Sequence, residues 1–232
     1  FQPIINLRGS DDEYYEVLLR LLNADNEEVS PTEFLDAAAK MNVIHKIDRW
    51  VILESIKMLS QHRNKGNHTK LIINLSGQSL CDDSLPPWLR VAFKAAKLPT
   101  DAIVFQASEV DITNHLTAAK AFAKHLEKFN SCLSISGFGC SLNPYNVFKH
   151  VPLGFVKVDG SFTQDIQNNN ESPDTLVEMI KKLHEEDVTT VVPFVENASV
   201  LATLWQAGVH YIQGYYLQEP SKSMDYDFNM ES

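Results

Sequence analysis

Eight short apolar runs, separated by segments with helical patterning, constrain the fold of this chain more than any other feature. Several runs are continuously apolar, which is typical of strands covered on both faces of a parallel sheet. The predicted strands are Phe1–Arg8, Tyr14–Leu21, Lys70–Leu75, Ala102–Ala107, Cys132–Ser136, Phe155–Val158, Thr189–Val192 and Tyr211–Ile212. After the second run the pattern is strand, helix, strand, repeated. It predicts an α/β protein in which eight strands close into a TIM-like (β/α)8 barrel.

The first two runs depart from that repeat. Only a short polar segment, residues 9–13, joins them, and it is too short for a crossover helix. We therefore expect these two strands to pair antiparallel, which gives the barrel one antiparallel strand near the N-terminus.

The helices carry recognisable start and stop signals. Ser30–Glu33 reads as a capping box with proline at the first helical position. Apolar stripes predict helices from Ile44 to about Gln61 and from Thr113 to Phe129. Asn197 can cap a further helix, which we expect to stop at Gly208.

Composition limits the functional classes. A length of 232 residues fits one large domain or two small ones, and a formal net charge of -10 argues against a DNA or RNA backbone as the ligand. No apolar run of about 18 residues is present, so we expect no membrane insertion. The odd number of cysteines, three, suits a reducing cytoplasm. The chain starts inside a strand-like run without methionine, so we expect residues 1–232 to be one domain of a longer protein.

One stretch, residues 14–20, suggests a binding site. Read as a strand, it places Glu16, Leu18 and Arg20 on one face. A carboxylate and a guanidinium on the face of a buried strand are better explained as one wall of an anion site than as core residues. In barrels of this type the ligand lies at the C-terminal ends of the strands.

Polar residues also lie in or just after most of the other predicted strands. In chain order they are Gln2, Glu16 with Arg20, Asn74, Gln106, Ser136, Lys157 with Asp159, Glu196, and Gln213. Taken singly, each has an ordinary structural explanation. Asn74 can cap a strand end, Lys157 can pair with Asp159, and Gln213 can belong to a simple turn.

The order and spacing of these residues resemble the EAL domain family of cyclic di-GMP phosphodiesterases. The matching motifs are FQPIINL (1–7), EVLLR (16–20), VSPTEFL (29–35), DRWVI (48–52), INLSGQSL (73–80), FVKVDGSF (155–162) and AGVHYIQGYYLQEP (207–220). They span nearly the whole chain. The resemblance implies a single EAL domain over residues 1–232, and we expect it to be the C-terminal part of a multidomain protein.

The family hydrolyses cyclic di-GMP with two divalent metals held mainly by carboxylates, and this set is incomplete here. The resemblance places metal-ligand positions at Glu16, Asn74 and Glu109, which are retained. Gln106 replaces a carboxylate, the paired aspartates of the DDFG loop are absent from Ser134–Gly139, and Pro193 replaces a glutamate. We therefore expect no catalytic residues, no bound metal and no cofactor.

The residues that would bind the nucleotide are retained. Arg20 offers a planar fork of donors to a phosphate. Phe194 replaces a family glycine and supplies a face for stacking a guanine, although it can also be a core residue after the strand. Glu196 can accept the N1–H and N2–H groups of guanine.

Further contacts with guanine or ribose are expected from Gln2, Asp48 and Gln213, with Gly214 allowing close approach and Pro220 forming an apolar wall. Loss of the metals removes the reason to bend the ligand. We therefore expect an extended ligand with two guanine pockets, one near Leu18 and Gln2 and the other near Phe194.

Among degenerate family members, the pattern is most similar to the C-terminal EAL domain of a receptor of type IV pilus assembly and twitching motility. This resemblance implies a non-catalytic cyclic di-GMP receptor in the cytoplasm, located at a cell pole through the full-length protein. It also implies a PilZ-type protein and the pilus assembly machinery as partners. The alternatives are a weak metal-dependent phosphodiesterase and a protein interaction scaffold that has lost the nucleotide.

Overall fold

A closed barrel of eight strands forms the centre of the molecule. The computed structural model describes residues 1–168 and 172–231. Within those ranges the strands are β1 (Gln2–Asn6), β2 (Tyr14–Val17), β3 (Leu21–Leu22), β4 (Glu28–Val29), β5 (Lys70–Asn74), β6 (Ile103–Ser108), β7 (Leu133–Phe138), β8 (Phe155–Val158), β9 (Thr189–Val192) and β10 (Tyr211–Ile212). The barrel order is β1-β10-β9-β8-β7-β6-β5-β2, which confirms the predicted fold class.

Helices cover the outside of the barrel. They are α1 (Pro31–Lys40), α2 (Ile44–Arg63), α3 (Gly77–Leu80), α4 (Leu85–Ala96), α5 (Glu109–Asn114), α6 (Leu116–Glu127), α7 (Gly160–Gln167), α8 (Asp174–Glu185) and α9 (Ala198–Ala207). Short 3-10 helices span Thr100–Ala102, Pro144–Lys149 and Phe228–Glu231. Within the described ranges, no helix combines the length and apolar character that a membrane crossing requires.

The antiparallel pairing of the first two strands is confirmed. β1 runs antiparallel to β2 and to β10, whereas the other neighbouring barrel strands run parallel. As a result, the N-terminal end of β1 lies at the same barrel end as the C-terminal ends of the other strands. This places Gln2 beside Glu16.

The predicted bounds of the second strand were wrong. β2 ends at Val17, and Leu21–Leu22 forms a separate two-stranded sheet with Glu28–Val29 outside the barrel. Leu18 and Arg20 therefore follow the strand instead of belonging to it, so strand alternation does not set their direction. The other predicted strands agree with the structure to within two residues at each end.

The helix signals were partly right. Asn197 caps α9 by accepting from the backbone N–H of Val200, and Gly208 ends that helix in a left-handed conformation, as predicted. Ser30 precedes α1, but its side chain makes no capping hydrogen bond. The predicted helix from Thr113 to Phe129 was wrong as one unit, because the chain breaks at His115 into α5 and α6.

The interior of the barrel has an apolar layer below a polar one. The apolar layer consists of Ile4, Tyr14, Ile72, Val104, Phe155, Val191 and Tyr211, which form one buried cluster. Because side chains of a strand alternate faces, the residue two positions nearer the barrel mouth also points inward. Those residues are Gln2, Glu16, Asn74, Gln106, Lys157, Pro193 and Gln213. The floor of the mouth is therefore polar.

Candidate functional site

Glu16 is the centre of the polar layer. Its Oε1 accepts from Asn74 Nδ2 at 2.9 Å and from Gln106 Nε2 at 3.1 Å. Its Oε2 accepts from Lys157 Nζ at 2.5 Å and from Gln213 Nε2 at 2.7 Å. The side chain is almost fully buried, and both of its carboxylate oxygens accept hydrogen bonds from protein donors.

The Lys157–Glu16 ion pair controls the charge of this layer. Burial alone would raise the pKa of Glu16, but the attraction of Lys157 and the hydrogen bonds from Asn74 and Gln213 outweigh it, so the pKa lies below its usual value. The predicted alternative, a pair between Lys157 and Asp159, is wrong. Asp159 instead accepts from the backbone N–H of Ser161 and caps α7.

Gln106 has the opposite hydrogen-bonding role from the carboxylate that the family resemblance leads one to expect. Its amide nitrogen donates to Glu16 and also to Asn74 Oδ1 at 2.9 Å, while its Oε1 accepts from the buried hydroxyl of Ser134 at 2.9 Å. An amide NH₂ group has no lone pair for a cation. This position therefore presents a donor towards Glu16.

Glu109 is not a hydrogen-bond partner of Glu16 but binds the loop that follows β7. Its carboxylate accepts from the backbone N–H groups of Gly139, Cys140 and Ser141, each at 3.2 Å, so it holds the loop after β7. Across residues 1–168 and 172–231, no group of three or more His, Cys, Asp or Glu side chains is placed to hold a metal ion. In this structure Glu16, Asn74 and Glu109 are internal hydrogen-bond partners.

A cavity of about 360 Å³ lies directly over the polar layer. It brings together eight of the ten predicted ligand-binding residues: Gln2, Glu16, Leu18, Arg20, Phe194, Gln213, Gly214 and Pro220. The predicted pockets near Gln2 and near Phe194 are thus a single space. This corrects the expectation of separate guanine pockets at those two positions.

A second cavity, of about 610 Å³, lies on the other side of Leu18 and Arg20, which line both spaces. It is formed by the chain after β2 together with α1, α2 and the start of α3. Its lining is mainly apolar and includes Val17, Phe34, Leu35, Ile47 and Val51, with Asp48 as a polar residue. The sequence analysis did not identify this cavity, because its walls belong to helices that are amphipathic for ordinary packing reasons.

Asp48 has a structural role in this second cavity. Its Oδ2 accepts from the backbone N–H of Ser76 at 2.9 Å and from the hydroxyls of Ser76 and Ser79, each at 2.6 Å. It therefore ties α2 to the segment that follows β5. Only the remaining lone pairs of the carboxylate are available to a ligand.

Phe194 follows β9 with a backbone φ of 58°, a left-handed conformation that costs a non-glycine residue energy. Its side chain remains 46% exposed at the cavity wall. The ring lies over Gly160, where an added Cβ would come within 2.0 Å of Phe194 Cδ2. The first residue of α7 must therefore be a glycine for the ring to keep this position.

Glu196 lies on the same turn as Phe194 and is exposed, but it does not line either cavity. Its backbone N–H donates to Gln167 Oε1 at 2.9 Å. The structure therefore places the carboxylate beside the mouth, two residues along the chain from the Phe194 ring.

Arg20 is held loosely between the two cavities. Its Nη1 donates to the backbone oxygen of Leu19 at 3.2 Å, and its Nε lies 3.7 Å from the exposed carboxylate of Glu28. Exposed pairs of this kind contribute little stability. The guanidinium therefore keeps donors that can turn towards an anion.

Gln213 and Gly214 also make close contacts with other parts of the protein. The Gln213 amide donates to both Gln2 and Glu16, and its Oε1 is buried without a partner. At Gly214 an added Cβ would lie 2.1 Å from the backbone oxygen of Val195. The close approach expected at Gly214 is therefore made by the 193–196 segment of the chain itself.

Comparison with known proteins identifies relatives over nearly the whole length of the chain. A family model described as the EAL domain matches residues 1–220. The FimX EAL domain from Pseudomonas aeruginosa, in a crystal structure bound to c-di-GMP, is 55% identical, with a TM-score of 0.92 over 98% of this chain and 92% of that one. The Xanthomonas citri FimX EAL domain, in complex with c-diGMP, is 26% identical with a TM-score of 0.88, over 98% of this chain and 88% of that one.

An enzyme is also among the relatives. Cyclic di-GMP phosphodiesterase PdeF of Escherichia coli is 28% identical over 226 residues, which is 97% of this chain. The chain spans only 30% of the length of that relative.

Proposed function

Because this chain belongs to the EAL domain family, we propose that it binds cyclic di-GMP at the mouth of the barrel as a non-catalytic receptor that needs no metal. The observation that carries this proposal is the state of Glu16. Both of its carboxylate oxygens are engaged by Lys157, Asn74, Gln106 and Gln213 in the place where a catalytic site would need metal ligands.

The ligand class is supported by the relatives. Two FimX EAL domains that share this chain's fold over 98% of its length were crystallised with cyclic di-GMP. One of them is 55% identical to this chain, which makes a shared ligand the simplest expectation.

The shape of the mouth supports an extended ligand. Cavities of about 360 and 610 Å³ lie on either side of Leu18 and Arg20, and both volumes fall in the range typical of ligand sites. We assign one guanine to the cavity at Phe194 and the other to the cavity at Asp48. Arg20 then contacts a phosphate between them, where its charge-assisted hydrogen bonds are strongest.

The guanine in the smaller cavity stacks on the exposed ring of Phe194, with Pro220 as the opposing apolar wall. Glu196, two residues along the same turn, reaches the Watson–Crick edge of that base and accepts its N–H groups. Gln2 and Gln213 form the floor beneath it.

The charges on the floor support metal-independent binding. Lys157 already supplies the cation that Glu16 requires, and Gln106 presents a donor in place of a carboxylate. A dication would have to displace the ammonium and enter a layer with one carboxylate, which is poorly charge-balanced for two-metal chemistry.

The direct test is calorimetric titration of the chain with cyclic di-GMP in the presence of a chelator. We expect binding, with the affinity reduced about tenfold or more by Arg20→Ala and by Glu196→Gln. Glu185→Gln, on an exposed residue at the end of α8, is the matched control and should leave the affinity unchanged. No heat of binding in chelator, or full affinity in both variants, would contradict the proposal.

A weak metal-dependent phosphodiesterase is the second candidate. It is favoured by the retention of Glu16 and Asn74 and by the enzyme relative at 28% identity. Incubation with Mn²⁺ for hours, followed by separation of the linear product pGpG, decides between the two. Turnover that disappears in Glu16→Ala would establish the enzyme, and failure to bind any dinucleotide would favour a pure interaction scaffold.

We further propose that the domain signals in type IV pilus assembly and twitching motility, as the C-terminal part of a longer cytoplasmic protein located at a cell pole. The similarity to FimX supports this role, and a PilZ-type protein is the partner we expect. Co-purification of a PilZ-type protein from the source genome with this chain, with and without cyclic di-GMP, tests the partnership.

A further inference from the structure

The segment that carries Phe194 and Glu196 is paired on both sides. On one side, Val195 donates its N–H to the backbone oxygen of Gln213 at 3.0 Å and accepts from the N–H of Tyr216 at 3.1 Å. The neighbouring Phe194 C=O and Glu196 N–H groups take no part in this pairing and are directed to the other side. They face α7.

A single side chain meets those groups. Gln167, the last residue of α7, donates from Nε2 to the backbone oxygen of Phe194 at 3.0 Å. Its Oε1 accepts from the backbone N–H of Glu196 at 2.9 Å and lies 3.5 Å from Asn197 Nδ2. The primary amide thus acts like the edge of a neighbouring strand, with one donor and one acceptor in the required order.

The same helix also fixes the aromatic ring. Gly160, the first residue of α7, lies against the Phe194 ring, and Gln167 binds the Phe194 backbone at the other end of the helix. Phe194 holds a left-handed conformation, which persists only where the surroundings determine it strongly. The hydrogen bond from Gln167 is one of the contacts that hold this conformation.

We infer that Gln167 is a positioning residue for guanine recognition: its amide holds the Phe194–Asn197 turn in the orientation that presents the ring and the Glu196 carboxylate to one base. This inference rests on the proposed function and deepens it, because Gln167 lines neither cavity and acts through the turn. The sequence analysis did not single out this residue.

Loss of the Gln167 amide should lower the ligand affinity more than it lowers the stability of the fold. Both hydrogen bonds of Gln167 to the turn are exposed, so water can replace them when the amide is removed. The fold should therefore tolerate the loss well. The orientation of the Phe194–Asn197 turn should change, because water in place of the amide leaves Phe194 free to relax from its left-handed conformation.

The test is Gln167→Met, which keeps the length of the side chain and removes both hydrogen bonds. We expect the affinity for cyclic di-GMP to fall three- to tenfold, with a loss of melting temperature below about 4 °C. Gln164→Met, on an exposed glutamine of the same helix, is the matched control and should keep the wild-type affinity.

Two readouts distinguish positioning from a general structural effect. Because Glu196 reads guanine donors that adenine lacks, Gln167→Met should reduce the preference for cyclic di-GMP over cyclic di-AMP. In a chain that carries Phe194→Ala and Glu196→Gln, the further change Gln167→Met should cost no additional affinity.

The outcomes are separable. Wild-type affinity and selectivity in Gln167→Met, or an effect that adds fully to that of the Phe194 and Glu196 changes, would overturn the inference while leaving the proposed function intact. Absence of binding by the wild-type chain would overturn the proposed function and this inference with it.

Discussion

The ammonium of Lys157 lies 2.5 Å from Glu16 Oε2, and this pair joins residues that are 141 positions apart in the chain. It lies on the floor of the barrel mouth, below the cavity of about 360 Å³. A protein cation and three amide groups thus satisfy this buried carboxylate. The charge on the floor of the mouth and the hydrogen bonds to Glu16 depend on this arrangement.

Lys157→Met should destabilise the chain strongly at neutral pH. Removing one partner of a buried pair leaves an uncompensated charge, which costs about 3–5 kcal/mol. The double variant Lys157→Met with Glu16→Gln should recover a large part of this loss, because it leaves no buried charge. Urea unfolding of the three chains at pH 7.5 provides the measurement.

The same pair predicts how this loss varies with pH. The folded pKa of Glu16 is lowered, so the group stabilises the wild-type chain above its unfolded pKa of about 4.3, and this contribution is lost as the pH falls through the folded value. In Lys157→Met, burial acts without the cation and raises the pKa of Glu16. The destabilisation should therefore shrink between pH 7.5 and pH 5. An equal loss of unfolding free energy in Lys157→Met at pH 7.5 and at pH 5 would contradict this prediction.

The left-handed conformation of Phe194 predicts an unusual order of stability between two variants. Phe194→Ala and Phe194→Gly both remove the ring, but only glycine adopts a φ of 58° without strain. The glycine variant should be more stable than the alanine variant by about 1 kcal/mol. In ordinary strand or helix conformations the alanine variant would be the more stable. A higher melting temperature of the alanine variant would therefore show that Phe194 is not strained.

Both Phe194 variants should lose affinity for cyclic di-GMP to the same extent. Base–aromatic stacking is worth roughly 1–3 kcal/mol per base, which corresponds to about a fivefold loss or more. Calorimetric titration measures it, and unchanged affinity would exclude Phe194 as the stacking platform.

Gly160→Ala should weaken binding without removing any group that touches the ligand. The added Cβ would lie 2.0 Å from Phe194 Cδ2, so the ring must leave its position over α7. We expect a three- to tenfold loss of affinity in the wild-type chain and none in the Phe194→Gly chain, where the ring is absent. Equal losses in both would show that Gly160 acts by another route.

Gln106→Glu tests whether one restored carboxylate is enough for metal chemistry. The new carboxylate would replace a donor that lies 3.1 Å from Glu16, so we expect lower stability at pH 7.5 and a smaller loss at pH 5. Because Lys157 still holds Glu16, we expect no Mn²⁺-dependent cleavage of cyclic di-GMP. Product formation or a Mn²⁺-dependent rise in melting temperature would contradict this.

His210 should make stability fall on mild acidification. Its Nδ1 accepts from the backbone N–H of Thr190 at 3.0 Å and therefore must be unprotonated. Burial, with His184 and Arg8 nearby, lowers the pKa of His210. The unfolded chain then binds the proton more readily, so stability present above about pH 6.5 is lost as the pH falls below it.

His210→Asn keeps an acceptor for Thr190 and removes the titration. Between pH 7.5 and pH 5.5 its melting temperature should fall by about 2–4 °C less than that of the wild-type chain. His210 lies at the end of the barrel opposite the mouth, so ligand affinity at pH 7.5 should stay the same. An identical pH dependence in both chains would remove His210 from this role.

Much of the fold could be predicted from the sequence, because barrel strands and amphipathic helices have local sequence patterns. The continuously apolar runs predicted seven of the eight barrel strands to within two residues at each end. The second strand was placed wrongly because Leu18 to Leu21 is as apolar as a strand, and only the β3–β4 sheet shows where the chain turns away. That positions 106 and 193 hold Gln and Pro and no carboxylate was also visible in the sequence, since it concerns residue identity alone.

The sequence by itself determined which side chains the polar layer of the mouth contains, including one carboxylate, one lysine and four amides. Only the tertiary structure decided how they pair, because Glu16 and Lys157 meet across a closed barrel whose stagger depends on all eight strands together. The same holds for the division of the mouth by Leu18 and Arg20 and for the contact of Gln167 with the Phe194 turn. Local patterns encode faces and ends of elements, whereas contacts between distant elements depend on register and packing.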